Sequence, residues 1–419
     1  MRRSHRALLL LLVACPAGAQ VLPRPDSVPL PSDTASVRLH PLPGGERRPV
    51  RICSGGDVTL GTNLGSGWEE RAAAGHLREP DELLRPLRPV VADAELVLLN
   101  VEGAIGEGPA SRKCGPRSTQ CYAFRQPVAA AGALRRLAEH AQVVGNVANN
   151  HAGDAGPAGL HATLRHLADA GVHTVGADTL ATPVEMAPGD TVALLGFSSS
   201  GSGPDPRNLD AVRRHVARAL DRHGRVVVTM HMGAEGVRAQ RTPNRTEVFL
   251  GTIDRGNSVA FARAAAEAGA SLVVGHGPHV MRAMEWHGGA LLIYSLGNLV
   301  TYGPFSNAEP INRGALVCAT LAPDGGVASA ELRSTRQRFA GWVEPDSSGR
   351  AAILVDSLGQ LDFPGSAARV LPDGRIVVPD TDEPLRGSVR RQRPATDVAS
   401  RSAITRRAPR QARTREDSR

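Results

Sequence analysis

The stretch Val143-Val144-Gly145-Asn146-Val147-Ala148-Asn149-Asn150-His151-Ala152-Gly153-Asp154-Ala155-Gly156 decides how the chain is read. The apolar run at 141–144 has the length and composition of a buried parallel strand. It breaks into asparagines, a histidine and an aspartate between glycines. A helical pattern follows at once, with Leu160, Leu164 and Leu167 on one face. Asn149, Asn150, His151 and Asp154 are therefore expected where a strand ends and a helix begins. In α/β sheets that carboxyl edge is where ligands bind. An amide, an imidazole and a carboxylate on a small-residue turn suit hard-metal and phosphate chemistry. The same residues would equally make an Asx-rich turn capping the helix at Asp154, and one motif does not choose between the two.

Working outward, the alternation continues on both sides. Upstream, strands at 51–53 and 94–99 end in Gly55-Gly56-Asp57 and Asn100-Val101-Glu102-Gly103, with helices over 81–91 and 127–140. Downstream come a helix at 157–170, strands at 172–175 and 191–197, and a helix at 208–223 carrying Val212, Val216 and Leu220 on one face. A strand at 226–230 ends at His231, and a helix covers 257–268. Strands at 272–274 and 290–294 end in Gly275-His276-Gly277-Pro278-His279 and Ser295-Leu296-Gly297-Asn298. From there the pattern turns to strands without helices, at 315–321, 327–332 and more weakly up to Val378. This predicts a layered α/β domain over 49–342 with helices outside a central sheet, followed by a β-rich extension over 343–383.

The ends read differently. Arg2, Arg3, His5 and Arg6 precede an apolar segment at 7–14, too short to span a membrane, so an export signal is expected at 1–19. Leu12-Val13-Ala14-Cys15 resembles a lipobox that would leave Cys15 lipid-anchored. Ala17-Gly18-Ala19 before Gln20 is a competing cleavage site, and Pro16 directly after Cys15 disfavours the first. Either route takes the protein to the periplasm, envelope or exterior. Residues 20–48 read as a disordered linker and 384–419 as a disordered basic tail.

The net charge is +8, yet Lys113 is the only lysine. That arginine bias reads as genome base composition rather than as a nucleic-acid surface, and no zinc-finger or RNP-like pattern accompanies it. Cys53 and Cys318 lie in apolar runs and are expected as buried thiols. Cys114 and Cys121 flank Gly115-Pro116-Arg117-Ser118-Thr119-Gln120, a short loop that an exported protein can close as a disulfide. Arg255-Gly256-Asn257 opens a helix, as an anion site or as a simple cap.

Five strand ends thus deliver metal-type side chains to one expected edge: Asp57, Glu102, Asn150 with His151, His231, and His276 with His279. Imidazole nitrogen with carboxylate and amide oxygen suits Zn, Mn or Fe. Two ions sharing a carboxylate would clamp and activate water.

The same residues carry a family resemblance. Gly56-Asp57-Val58-Thr59-Leu60-Gly61, Asn100-Val101-Glu102-Gly103, Ala148-Asn149-Asn150-His151-Ala152-Gly153-Asp154-Ala155-Gly156, Thr229-Met230-His231-Met232-Gly233-Ala234-Glu235, Gly275-His276-Gly277-Pro278-His279-Val280 and Tyr294-Ser295-Leu296-Gly297-Asn298 occur in the order seen in CapA/PgsA-type proteins of capsule and poly-γ-glutamate synthesis. That family is similar to calcineurin-like metallophosphoesterases. The resemblance implies a four-layer α/β/β/α sandwich and one or two divalent metal ions. It implies Asp57 on the first metal, Glu102 bridging, and Asn150 with His231 on the second. His276 and His279 would complete the sites, with His151 as proton donor oriented by Asp154. Thr59 stands where the phosphoesterases carry a histidine, and Met232 where the family often has tryptophan. Two functions follow from the resemblance. One is metal-dependent hydrolysis of a phosphoester or γ-glutamyl-type bond. The other is a non-catalytic accessory role that binds an acidic exopolymer beside a membrane-bound polymer synthase complex.

Overall fold

The computed structural model describes residues 47–63, 78–106, 113–114, 121–201, 203–302, 306, 308–339 and 341–379. The expected signal at 1–19, nearly all of the linker at 20–48 and the tail at 384–419 lie outside the described residues. The chain starts one sheet with β1 (Val50–Thr59), β2 (Leu96–Val101), β3 (Gln142–Asn146) and β4 (His173–Val175). It then lays down a second sheet with β5 (Thr182–Ala187), β6 (Asp190–Ser198), β7 (Val226–His231), β8 (Leu272–His276), β9 (Met284–His287) and β10 (Ala290–Ile293). It returns to the first with β11 (Asn298–Thr301), β12 (Arg313–Leu321), β13 (Val327–Phe339), β14 (Trp342–Pro345) and β15 (Arg375–Ile376). The first sheet runs β14-β13-β12-β1-β2-β3-β4, with β11 beside β1 and β15 beside β13; the second runs β9-β10-β8-β7-β6-β5. The helices are α1 (Pro80–Leu84), α2 (Ala129–Leu137), α3 (Gly156–Asp169), α4 (Leu209–His223), α5 (Ser258–Glu267) and α6 (Arg350–Asp362).

The period-two alternation of each strand sorts its side chains into layers. Ile52, Leu96, Leu98 and Val144 of the first sheet meet Leu194, Val227, Leu272, Val274 and Ile293 of the second in one core between the sheets. Their neighbours Cys53, Val97, Leu99 and Val143 turn outward against Leu83, Leu134 and Leu167 on the helical side. On the other side Leu195, Val226, Val228 and Val273 pack on Val212, Val216, Phe261 and Ala265. The result is the expected α/β/β/α sandwich. Strands buried on both faces read as continuous apolar runs, which is why they stand out in the sequence. Two helices start on their own capping signals, α4 with Asn208 accepting from Ala211 N and α5 with Asn257 accepting from Ala260 N.

Four expectations are corrected. The helix over 81–91 is α-helical only through Leu84, and Arg85–Val91 is a 3-10 helix with Pro89 inside it. A proline there lacks the N–H of the α-helical ladder. The extension over 343–383 has α6 as its longest element rather than strands. Ala351, Ala352, Val355, Val370 and Ile376 enter the core between the sheets, so the packed unit does not stop at Trp342. Finally, Cys53 and Cys318 are buried but are not free thiols. They are directly opposite in the antiparallel β1–β12 pair and form a disulfide. Their separation of 265 residues hid that pairing from the sequence. Cys114 and Cys121 are bonded as expected.

Candidate metal centre

Parallel pairing aligns the strand ends that carry the polar residues. Asp57 is in register with Asn100, Asn100 with Asn146, and His231 with His276. The first two alignments belong to one sheet and the third to the other, so the site is assembled where both carboxyl edges meet. Glu102 follows β2 directly, and His279 sits in the turn after β8. Its φ of 59° is left-handed, a conformation that costs a non-glycine residue energy and is held by its surroundings. Close approach at Asp57 depends on Gly56, where a Cβ would fall 2.0 Å from the Gly297 carbonyl oxygen.

Five of the expected ligands converge. His279 Nδ1 lies 3.0 Å from Asp57 Oδ2, and His276 Nδ1 lies 3.5 Å from Asp57 Oδ1. His231 Nε2 and His279 Nε2 are each 3.7 Å from Glu102 Oε1. Ligand atoms of Asp57, Glu102 and His279 fall within 4.8 Å of one another. All five side chains are buried. Asp57 Oδ2, both Glu102 oxygens, His231 Nε2 and both His276 nitrogens make no hydrogen bond. The sixth, Asn150, lies in the turn that follows β3, and its Oδ1 is likewise buried and unpartnered. Each such orphan costs about 1–3 kcal/mol, and a cluster of them is explained by a group that would satisfy them together. Lone pairs of imidazole and carboxylate gathered this closely fit a divalent metal.

The electrostatics agree. Burial disfavours charge on Asp57, but His276 and His279 outweigh it and hold the carboxyl well below the usual carboxylate range. Burial pushes Glu102 up to about 8, against the pull of His279 and with help from Asp57 and Glu235. Burial opposes charge on His279, yet Glu102 and Asp57 raise it to about 10. His231 is held well below its ordinary value by burial, with Arg255 adding to the effect.

His151 and Asp154 form a separate pair beside these ligands. His151 Nδ1 is 2.6 Å from Asp154 Oδ2, and the ring tilts on Phe124 with centroids 4.2 Å apart. Asp154 does more than orient the ring: Oδ2 also accepts from Phe124 N at 2.7 Å and Oδ1 from Lys113 Nζ at 3.1 Å. The capping role weighed for Asp154 is not observed: Ala155 takes the cap position of α3, without a side-chain bond. Burial lowers the His151 pKa although Asp154 pulls it upward.

Several further residues support the site. Asn100 donates to Asp57 Oδ1 at 2.9 Å and accepts from Asn146 and Asn149 at 3.0 and 3.2 Å. Asn149 Oδ1 in turn accepts from His151 N and Ala152 N, which shapes the turn that presents Asn150. Asn298 Oδ1 lies 3.0 Å from His279 Nδ1. Thr59 donates to the Glu102 carbonyl oxygen at 2.9 Å and so braces the ligand's backbone. Met232 is buried among the apolar residues on the helical side of the second sheet. The available signal for the asparagines was their repetition at strand ends. Lys113, distant in sequence, gave none.

Residues 51–302 match the family model described as Bacterial capsule synthesis protein PGA_cap. The PGA biosynthesis protein CapA of Bacillus subtilis (strain 168) is 33% identical over 171 residues, which cover 37% of this chain and 41% of the relative. The capsule biosynthesis protein CapA of Bacillus anthracis is 29% identical over 186 residues, covering 40% and 42%. The alignments thus span about two fifths of the length of these relatives. A calcineurin-like phosphoesterase, YfkN from Bacillus subtilis, aligns with a TM-score of 0.40 at 9% identity over 76% of this chain and 98% of its own. A putative 5'-nucleotidase from Staphylococcus aureus in complex with alpha-ketoglutarate aligns with a TM-score of 0.38 at 14% identity, over 68% and 54%. At these scores neither carries a role over to this chain. The match over 51–302, which contains every side chain of the centre, shows that the chain belongs to the bacterial capsule synthesis family PGA_cap.

Proposed function

We propose that this chain is an exported, metal-dependent hydrolase of capsule-polymer synthesis, cleaving a phosphoester or a γ-glutamyl-type bond. The observation that carries the reading is the cluster of buried, unpartnered ligand atoms on Asp57, Glu102, His231 and His276, with a further one on Asn150. With His279 these residues would hold one or two divalent ions, which supply Lewis acidity and a more acidic bound water. The chain's own part is proton handling and alignment. Asp154 accepts a hydrogen bond from His151 Nδ1–H, which leaves Nε2 as the nitrogen that exchanges a proton with substrate. Burial makes the ring a ready donor once charged, and it can return that proton to a leaving oxygen. Asn100 and Asn298 hold Asp57 and His279 in place before substrate arrives.

A second reading rests on Thr59, whose hydroxyl is spent on the Glu102 carbonyl oxygen rather than offered to a metal. It makes the protein a non-catalytic component that binds an acidic exopolymer next to a membrane-bound synthase. The test is an assay of the purified chain with Mn or Zn against phosphodiester and polyglutamate substrates. Metal-dependent turnover of either supports the hydrolase. No turnover of any of them leaves the binding role.

A further inference from the structure

Arg255 lies at the wall of the metal centre with its guanidinium fully enclosed. Two of its three nitrogens are spent on scaffolding. Nε donates to the Gly233 carbonyl oxygen at 3.0 Å and Nη1 to Ser200 Oγ at 2.7 Å. The backbone is pinned as well, because Arg255 N donates to Glu247 O and Gly233 N to Arg255 O. The third nitrogen, Nη2, is buried and makes no aligned hydrogen bond. Glu235 Oε1 stands 2.9 Å from it as an ion-pair partner, yet this oxygen too has no aligned hydrogen bond. The other oxygen, Oε2, lies 4.0 Å from His279 Nε2. Glu235 therefore leans between the guanidinium and the ligand cluster and is fully satisfied by neither.

Gly277 shows where Nη2 faces. A Cβ there would lie 3.0 Å from Arg255 Nη2 and 3.1 Å from His231 Nε2. The glycine has a φ of 109°, and its lack of a side chain lets Nη2, held only by Glu235, and the unpartnered His231 Nε2 both approach the same backbone position. A rigid guanidinium whose remaining donor edge stands beside the ligand cluster, held by a single carboxylate, is a strong receptor for a phosphate or carboxylate oxygen that takes that carboxylate's place.

We propose that Arg255 is the anion-binding residue of this pocket: Nη2 receives an oxygen of the substrate's phosphoryl or carboxylate group, and Glu235 is the resting counter-ion which that group displaces. This rests on the reading of the pocket as the substrate site. It makes Glu235 a guard against weak anions and Ser200 a positioning residue that fixes the guanidinium plane.

The test is calorimetric titration of the full chain with inorganic phosphate and, separately, with glutarate, in metal-loaded and chelator-treated protein. Glu235→Gln removes the competing charge and should tighten binding of the preferred anion about tenfold, with metal stoichiometry unchanged. Arg255→Gln should weaken it by about tenfold or more, and Arg255→Lys by less, since it keeps the charge and loses the fork. Preference for phosphate marks a phosphoryl group as the natural occupant, and preference for glutarate a carboxylate. Phosphate and glutarate affinities of Arg255→Gln within about twofold of the parent overturn the assignment. So does loss of bound metal in Glu235→Gln, which would make Glu235 a ligand. Should the parent protein bind no metal, the hydrolase reading falls. The opposite effects of the Glu235 and Arg255 substitutions on the chelator-treated protein still decide the anion site.

Discussion

At the scale of single residues, the centre separates side chains that hold from side chains that act. His151 offers Nε2 for proton exchange, whereas Asp154 also ties down Phe124 N and Lys113. His151→Ala should therefore retain metal and melting temperature while losing about 10²–10⁴ in rate. Asp154→Ala should lose melting temperature as well, because it leaves a buried N–H unpaired. Measuring rate, metal content and melting on the same preparations separates the two. Retained turnover in His151→Ala would end its proton-transfer role. Protonation gives a second prediction. Glu102 at about 8 and His279 at about 10 both keep protons in the metal-free fold that the unfolded chain gives up sooner. Groups raised in this way contribute stability that is lost as pH rises through the folded value. The metal-free protein should thus lose stability from about pH 5 to about pH 10, most steeply between about pH 6.5 and about pH 8, while metal affinity rises as the competing protons leave. Titrations in buffers of different ionisation enthalpy should show proton release on metal uptake. Uptake without released protons would contradict this account of Glu102 and His279.

At the scale of elements, what was legible follows burial. β3, β7 and β8 are covered on both faces, so their apolar runs and the polar residues at their ends stand out without an alignment. β5 and β9 are edge strands paired antiparallel to β6 and β10; Thr182–Ala187 is half-exposed and Met284–His287 is only four residues long, so neither carries that signal. α6 was missed because its buried residues, Ala351, Ala352, Val355, Leu358 and Gly359, are mostly small and give a weak stripe. The same limit applies to cross-strand chemistry. Nothing local in β1 or β12 announces that Cys53 faces Cys318. Their disulfide closes a loop of most of the described chain, so Cys53→Ala/Cys318→Ala should cost about 2–5 kcal/mol of stability. Denaturant melts of this double variant and the parent provide the check, and coincident midpoints would show that the bond adds nothing. The register that sets Asp57 beside Asn100 does not depend on the disulfide, so metal uptake should survive in the folded variant.

At the scale of the whole molecule, the chain order explains the site. Four strands of the first sheet come before the whole second sheet, and five strands of the first come after it. Ligands from both sheets, distant in sequence, are thereby drawn to one seam. Six ordered motifs made that seam readable as a ligand set, because each marks the end of a strand. The sequence could not show which neighbours brace the ligands, since Asn100, Asn146 and Asn149 act through long-range hydrogen bonds. The central claim is that Asp57, Glu102, Asn150, His231, His276 and His279 together hold a divalent metal. Elemental analysis of the chain after saturation with Mn or Zn and gel filtration, beside Asp57→Ala treated identically, tests it most directly. The account predicts one or two ions per chain in the parent and a clear loss in a variant that stays folded, since Asp57's buried carboxylate is a burden without the ion. No retained metal in the folded parent, or equal retention in Asp57→Ala, would contradict it.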